Sequence, residues 1–220
     1  MGRIFSVEHP VMTYFALLRD WVILSALWCV CSLPVVTIGA STAAIYYVTL
    51  KMVRQEEVSV TQAFFHAFRD NLKQGIILTL VLLVCITALG FGTVYAVRAP
   101  GAMRTAVVFF VVSLCASFLC ISLYSFPFMA QFSNTVPGIL KSAAFLAGKN
   151  LTNTIVMLLI SLIPVWVFLL SFEVFLRMVP IWAFMMPGAA SYFCAGRLKK
   201  IFDPIIASIK AREAAEEQKG

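Results

Sequence analysis

The sequence predicts an all-α protein that crosses a membrane several times. Its composition, its uncharged stretches and its distribution of basic residues all lead to this prediction. Hydrophobic residues make up 61% of the chain and charged residues 12%, with a mean hydropathy of +0.94. A water-soluble domain cannot bury so large an apolar fraction. In lipid every backbone amide needs an internal partner, so the apolar stretches are expected to be helices.

The uncharged stretches are long enough for membrane helices, each of which needs about 20 apolar residues. We interpret the first of them, residues 21–50, as two short spans. No cleavable signal is expected, because Arg19 and Asp20 interrupt the N-terminal apolar stretch. The sequence therefore predicts one membrane domain over residues 1–202, with six spans near residues 14–34, 36–53, 75–97, 105–128, 151–172 and 179–197.

The basic residues predict the orientation of these spans. If the N-terminus lies in the cytoplasm, then of the 17 Lys and Arg residues only Arg98, Arg104 and Arg177 lie outside. The positive-inside rule favours this arrangement, which places both termini in the cytoplasm. The net charge of +7 is then explained by topology and by contact with anionic lipid headgroups. A nucleic-acid partner is not expected.

Pro34 and Gly39 predict a turn between the first two spans. Since Arg19 and Lys51 are both expected inside, the chain between them must leave the cytoplasmic side and return to it. Proline cannot continue the helix, and glycine permits a tight turn. One kinked span is the alternative, although it would place the basic clusters on opposite sides of the membrane and so remove the charge asymmetry. Small residues at 40–44 and 191–195 allow close helix packing, including packing in a homodimer.

Two amphipathic helices are predicted at the cytoplasmic membrane surface, over residues 60–73 and 136–149. Each is followed by an Asn-Leu pair and an apolar stretch, at Asn71 and at Asn150, which suggests an internal repeat of two halves. Beyond the last span, residues 203–220 are expected to form a cytoplasmic tail, with a short helix after Pro204.

Few residues suggest chemistry within the membrane. Glu173 and Arg177 are four residues apart, so a structural ion pair on one helix face is favoured over a transport role. The six cysteines lie in predicted spans without a metal-binding spacing. We therefore expect no catalytic residues, no metal and no cofactor, and we expect that the protein is not an enzyme.

One segment of the sequence resembles a known family. The segment LWCVCSLPVVTIGASTAAIYYVTLKMVRQEE, followed by FFHAFRDNLKQ, is similar to the N-terminal signature of the YesL family of bacterial membrane proteins. The resemblance is good over residues 20–75. That family has no known function but is often associated with carbohydrate uptake systems, so the resemblance implies a connection with sugar transport. The matching positions are Leu27, Trp28, Ser32, Leu33, Pro34, Thr37, Ile38, Gly39, Ala44, Tyr46 and Tyr47.

The leading functional hypothesis is a non-enzymatic accessory or permease-like component of carbohydrate ABC transport. The segment SAAFLAG is similar to the coupling helix of ABC importer permeases, with Ser142 in place of the usual glutamate. A helix resting on the lipid bilayer is the alternative interpretation of this segment. The residues expected to contact ABC transporter subunits are Phe64, Phe65, Phe68, Ala143, Ala144 and Gly148.

A stand-alone small-solute carrier or channel is the alternative function. It predicts a polar cavity inside the bundle, and the helix interruptions at Pro164 and Pro187-Gly188 are candidates for its walls. A membrane enzyme would instead need a cluster of titratable residues, which the sequence does not offer. The polar or aromatic residues considered for a cavity are Tyr46, Tyr47, Gln131, Asn134, Asn153, Trp182 and Tyr192.

Overall fold

A computed structural model describes residues 10–98, 100–132 and 134–217, and all regular structure in these ranges is helical. This confirms the predicted all-α class. A short 3₁₀ turn at Val35–Thr37 precedes the second helix. The α-helices are α1 (Pro10–Cys31), α2 (Ile38–Val53), α3 (Val60–Arg98), α4 (Gly101–Gln131), α5 (Val136–Lys149), α6 (Leu151–Ser161), α7 (Ile163–Leu170), α8 (Phe172–Arg177), α9 (Val179–Phe184) and α10 (Met186–Glu217).

Within the described residues, four helical segments are long and apolar enough to cross a membrane. They are Tyr14–Cys31, Val35–Val53, Val60–Tyr95 and Arg104–Gln131. Two bent pairs raise the number to as many as six. One pair joins α5 to α6 at 104°, and the other joins Phe172–Phe184 to Met186–Ala211 at 65°. The protein is therefore a multi-pass helical membrane protein, and six spans is the upper end of this range.

Helix α2 is the best-buried helix of the bundle. Ten of its sixteen residues are buried, from Gly39 to Leu50. It packs against α1, α3, α4 and α10. The small side chains at 40–44 let these helices approach closely. Near its start, Thr42 Oγ1 accepts a hydrogen bond of 3.2 Å from Trp28 Nε1 of α1, so α1 and α2 form an antiparallel hairpin.

The connection between α1 and α2 contains Pro34 but not Gly39, which corrects the prediction that both form the turn. It runs from Ser32 to Thr37. Thr37 Oγ1 donates to the carbonyls of Cys31 and Pro34, each at 2.7 Å. Gly39 is the second residue of α2, where close contact with α3 leaves no room for a side chain.

Helix α3 is continuous, which corrects the prediction of a separate surface helix over residues 60–73. Its 39 residues measure about 58 Å at 1.5 Å per residue, nearly twice the thickness of a bilayer core. Phe64 and Ala67 are buried in the hydrophobic core. The apolar face of this segment therefore packs against protein, whereas an amphipathic pattern alone cannot distinguish protein from lipid.

Helix α5 has the same bounds as the second predicted surface helix. It buries Ile139, Ala143, Leu146 and Ala147. The two Asn-Leu segments of the proposed repeat differ in geometry. Asn71 lies inside continuous α3, whereas Asn150 lies at the 104° bend between α5 and α6.

The chain from residue 151 to 185 consists of short helices, and the interruptions predicted at Pro164 and Pro187-Gly188 are present. Breaks occur at Leu162, Ser171, Met178 and Met185. A proline is the second residue of α7, α9 and α10. Proline fits the first turn of a helix but cannot donate to the preceding turn, so each proline favours a new start. The prolines are Pro164, Pro180 and Pro187.

Helix α10 continues through Pro204 to Glu217, so the short helix predicted after Pro204 is not separate from the helix before it. Residues 1–9 of the predicted membrane domain and 218–220 of the predicted tail lie outside the described residues. At the level of Asp203, the ends of α2 and α4 are joined to the middle of α10. Arg54 donates from Nε and Nη2 to Asp203 Oδ1 at 3.1 and 2.9 Å, and from Nη1 to Gln131 Oε1 at 2.8 Å. Lys199 Nζ donates to Val53 O at 3.3 Å.

Candidate solute-binding cavity

A cavity of about 340 Å³ lies where the hairpin of α1 and α2 meets the broken helices. Aromatic rings and hydroxyl groups form much of its wall. Such a mixture, mainly apolar with a few polar groups, is typical of small-molecule sites. The residues that line it are Trp28, Thr42, Ile45, Tyr46, Ser161, Pro164, Trp182, Met186, Pro187, Ala190 and Ser191.

Two helix breaks meet at this cavity. Ser161 and Pro164 flank the break between α6 and α7, while Met186 and Pro187 begin α10 after the break at Met185. Irregular backbone at membrane depth is tolerated only where protein covers it or where it lines a cavity. In many transporters the substrate site is formed by such discontinuous helices.

Side chains of α1 satisfy the backbone at the second break. Pro187 has no N–H for the carbonyl of Ala183, four residues earlier. Cys29 Sγ donates to that carbonyl oxygen at 3.2 Å. One residue after the proline, Gly188 N donates to Ser25 Oγ at 2.9 Å. The break is therefore a supported feature of the fold, and its shape depends on α1.

The polar groups of the cavity wall differ in how they are satisfied. Thr42 Oγ1 accepts from Trp28 Nε1 and donates to Ile38 O at 2.7 Å. Ser191 Oγ donates to Gly188 O at 2.9 Å. In contrast, the buried Nε1 of Trp182 has no hydrogen-bond partner among the described residues. An unpaired buried N–H is unfavourable, so this group lacks the partner that most buried donors have.

The chemistry of the wall restricts the ligand. None of the described lining residues is charged. A charged ligand would lose its hydration here without gaining an opposite charge. The cavity therefore suits a small uncharged molecule with an apolar surface and hydrogen-bonding groups.

The cavity was only partly predicted from the sequence. Tyr46 and Trp182 line it, whereas Tyr47 and Gln131 line a separate groove of about 410 Å³ beside Asn71, Lys73 and Gln74. Four further lining residues, Trp28, Thr42, Ser161 and Ser191, were not predicted. The interruptions at Pro164 and Pro187 could have indicated the nearby Ser161 and Ser191, whereas no local pattern indicates Trp28 and Thr42.

The predicted partner-contact residues divide into buried and exposed ones. Phe64 and Ala143 are fully buried, so they cannot contact a partner, which corrects that part of the prediction. They lie on the sides of α3 and α5 that pack into the bundle. Phe68 is half-buried, while Phe65, Ala144 and Gly148 are exposed.

Glu173 and Arg177 lie on α8, away from the lining residues of the cavity. Glu173 Oε2 and Arg177 Nη2 are 3.8 Å apart, and both side chains are about four-fifths exposed. Such an exposed pair contributes little to stability. Over residues 10–98, 100–132 and 134–217, no three His, Cys, Asp or Glu side chains form a group that could hold a metal ion.

Comparison with known proteins gives one family match. Residues 21–93 match the family described as "Protein of unknown function, DUF624". No curated protein and no solved structure matches the chain. The YesL family is a DUF624 family, so the match confirms the resemblance that the sequence predicted. The matched residues run from the middle of α1 to near the end of α3.

Proposed function

We propose that this protein is a non-enzymatic, permease-like membrane component that holds a small uncharged solute in the cavity at the helix breaks. The proposal places it in a bacterial plasma membrane with both termini in the cytoplasm. One observation carries it. Two interrupted helices meet at a cavity that is lined by Trp182, a residue whose buried Nε1 has no partner among the described residues.

A carbohydrate is the solute class that we favour. Trp28, Tyr46 and Trp182 offer flat apolar surfaces with polar edges, which suit the faces of a sugar ring. Thr42, Ser161 and Ser191 offer hydroxyl groups for the sugar's own hydroxyls. The association of YesL-type proteins with carbohydrate uptake supports the same class.

The test is a binding screen with purified protein in mild detergent. A panel of neutral mono- and disaccharides is added, and the melting temperature is measured. It is taken as the temperature at which half of the protein no longer elutes in the monodisperse gel-filtration peak. We expect one or a few sugars to raise this temperature. Trp182→Phe keeps an aromatic ring but removes the N–H, and should weaken binding about fivefold to tenfold, as expected for one hydrogen bond.

A matched control is available on α7. Trp166 is more than half exposed and does not line the cavity, so Trp166→Phe should leave sugar binding unchanged. If no sugar shifts the melting temperature, or if both tryptophan variants bind as the wild type does, a carbohydrate site involving Trp182 is rejected.

A second candidate function is an accessory subunit of a carbohydrate ABC transporter. The observation that favours it is the outer face of α5, where Ala144, Phe145 and Gly148 are exposed on a helix turned 104° from α6. Small residues on such a helix permit close contact with a partner helix. Phe65 on α3, which was also predicted to contact transporter subunits, is exposed as well and belongs to the same hypothesis.

This second candidate is tested by a mild-detergent pull-down of tagged protein from its native membranes, analysed by mass spectrometry. Recovery of transporter subunits that is lost in Ala144→Asp and Gly148→Asp, but kept in the control Ala207→Asp on the exposed side of α10, would support it. Recovery of the protein alone, as monomer or homodimer, would reject it and leave the independent carrier.

A further inference from the structure

A second concave surface lies between α5 and α10, separate from the solute cavity. It has a volume of about 320 Å³. Two lysines, Lys149 and Lys200, stand at this groove, one from each helix. We call it the α5–α10 groove; it is lined by Phe145, Leu146, Lys149, Asn150, Lys200, Ile201, Pro204, Ile205 and Ser208.

The α5–α10 groove lies at the edge of the apolar part of the bundle. Lys149 and Asn150 immediately precede the 104° bend, after which the uncharged stretch 151–172 begins. Lys200 follows the uncharged stretch 178–196 on α10. Asp203, one turn further, belongs to the polar contacts that join the ends of α2 and α4 to the middle of α10. The groove is therefore at the level where lipid headgroups meet the acyl chains.

The polar side of the groove is positively charged. Lys149 Nζ lies 6.0 Å above the centre of the Phe145 ring. Among the described residues, neither Lys149 nor Lys200 forms an ion pair, and the nearby Asp203 is bound to Arg54. Asn150 uses Nδ2 for one bond, to Leu146 O at 3.1 Å, so a second N–H of that amide remains for a ligand.

The other side of the groove is apolar. Leu146 and Ile201 are buried at its base, while Phe145 is 68% exposed and Pro204 is exposed. A free phosphate would leave this surface uncovered, whereas an acyl chain would cover it. Basic pockets between membrane helices are typical binding sites for anionic lipid headgroups.

We propose that the α5–α10 groove binds an anionic phospholipid, with its phosphodiester between Lys149 and Lys200 and its acyl chain against Phe145, Ile201 and Ile205. The lipid links the surface helix α5 to α10. The site does not depend on the proposed solute function, because none of its residues lines the solute cavity.

The experiment compares lipid binding by two double variants of the full chain. Lys149→Gln with Lys200→Gln changes the groove. Lys141→Gln with Lys210→Gln removes the same charge from exposed positions of the same two helices. Binding of phosphatidylglycerol and phosphatidylcholine is measured in detergent by native mass spectrometry and by the shift of the melting temperature. Inorganic phosphate and glycerol 3-phosphate are added in parallel.

We expect phosphatidylglycerol to bind the wild type and the control variant more tightly than phosphatidylcholine does. The groove variant should bind it about 30-fold more weakly, as expected when two lysine–headgroup interactions are lost. The two phosphate compounds should cause no shift at the same concentration. If the groove variant is poorly folded, the single variants Lys149→Gln and Lys200→Gln are tested in its place. Each should show part of the loss of phosphatidylglycerol affinity.

Three results would overturn the proposal. The control variant could lose as much affinity as the groove variant, which would indicate general attraction to surface charge. Phosphatidylcholine could bind as well as phosphatidylglycerol, which would remove the need for the lysines. Glycerol 3-phosphate could stabilise the protein as strongly as the lipid, which would assign the groove to a free anion.

Discussion

The first turns of α2 and α10 are built in the same way. In each, the N–H of a glycine donates to a hydroxyl group on a neighbouring helix. Gly39 N lies 3.0 Å from Thr79 Oγ1, and Gly188 N lies 2.9 Å from Ser25 Oγ. These N–H groups have no partner within their own helices, so the hydroxyl groups act as caps supplied from outside. In both places the neighbouring backbone leaves no room for a Cβ atom.

The surroundings of the two glycines differ. Gly39 is enclosed by α3 and by Phe126 of α4, at the start of the best-buried helix. At Gly188 the three atoms nearest to an added Cβ all belong to α1, whose apolar segment is largely exposed, and the two residues before it line the cavity. The same kind of contact thus fixes the core in one place and borders the cavity in the other. A glycine between helices can therefore serve either packing or the shape of a cavity.

The largest effect is expected for Gly39→Val. A Cβ atom at this position would collide with Thr79 Oγ1, and it would lie 2.6 Å from Gly75 O and 3.0 Å from Phe126 Cε1. Because two helices enclose it, we expect a loss of more than about 3 kcal/mol of folding free energy and little monodisperse protein. Fluorescence-detected gel filtration measures this. Gly196→Val, where no atom lies within 4 Å of the added Cβ, is the control, and equal yields of the two variants would contradict the account.

A smaller effect is expected for Gly188→Ala. Its Cβ would lie 2.5 Å from Trp21 O and 2.9 Å from Ser25 Oγ, but α1 can move outward into lipid. We expect protein that folds with a lower melting temperature and an altered cavity. Solute affinity should therefore fall more than it does in Gly196→Ala. A melting temperature as low as that of the Gly39 variant would show that the two contacts are equally rigid.

Removing either of the two hydroxyl caps should lower the stability by a similar amount, unlike the two glycine substitutions. Thr79→Val and Ser25→Ala each leave one buried N–H without an acceptor, at a cost of about 1–3 kcal/mol. Thr79→Ser keeps the hydroxyl group and should restore most of the stability. The melting temperatures of these variants measure the effect, and a serine variant no better than the valine variant would indicate that lost packing, not the lost hydrogen bond, causes the change.

The smallest effect is expected where the end of α2 contacts the middle of α10. Asp203→Asn removes the charge that Arg54 binds. The carboxylate side chain is 43% exposed, so water compensates in part and the cost should be about 1 kcal/mol. The loss should shrink at high salt, because salt already screens the pair in the wild type. A loss that does not depend on salt would assign the effect to the shape of the contact instead.

The sequence was sufficient to predict the all-α membrane class and the hairpin segments, because composition and charge report directly on lipid and topology. It was not sufficient for the role of Gly39, since the same residue suits a turn and a close helix contact. The amphipathic pattern at 60–73 did not reveal that Phe64 is covered by protein. The cavity depends on contacts between residues far apart, such as Cys29 with Ala183, and no local pattern contains them.

The proposed function requires that solute enters the cavity at the helix breaks from water. The most direct test introduces Ala190→Cys into a protein whose own cysteines are replaced, with Cys29→Ser chosen because a serine hydroxyl can also donate to Ala183 O. Labelling of position 190 by a membrane-impermeant thiol reagent is then measured in lipid vesicles. Cysteine at Phe109, an exposed position on the apolar helix α4, is the control. The account predicts that position 190 is labelled, that position 109 is not, and that a bound sugar slows labelling at 190. Equal absence of labelling at both positions would contradict it and assign the cavity to packing within lipid.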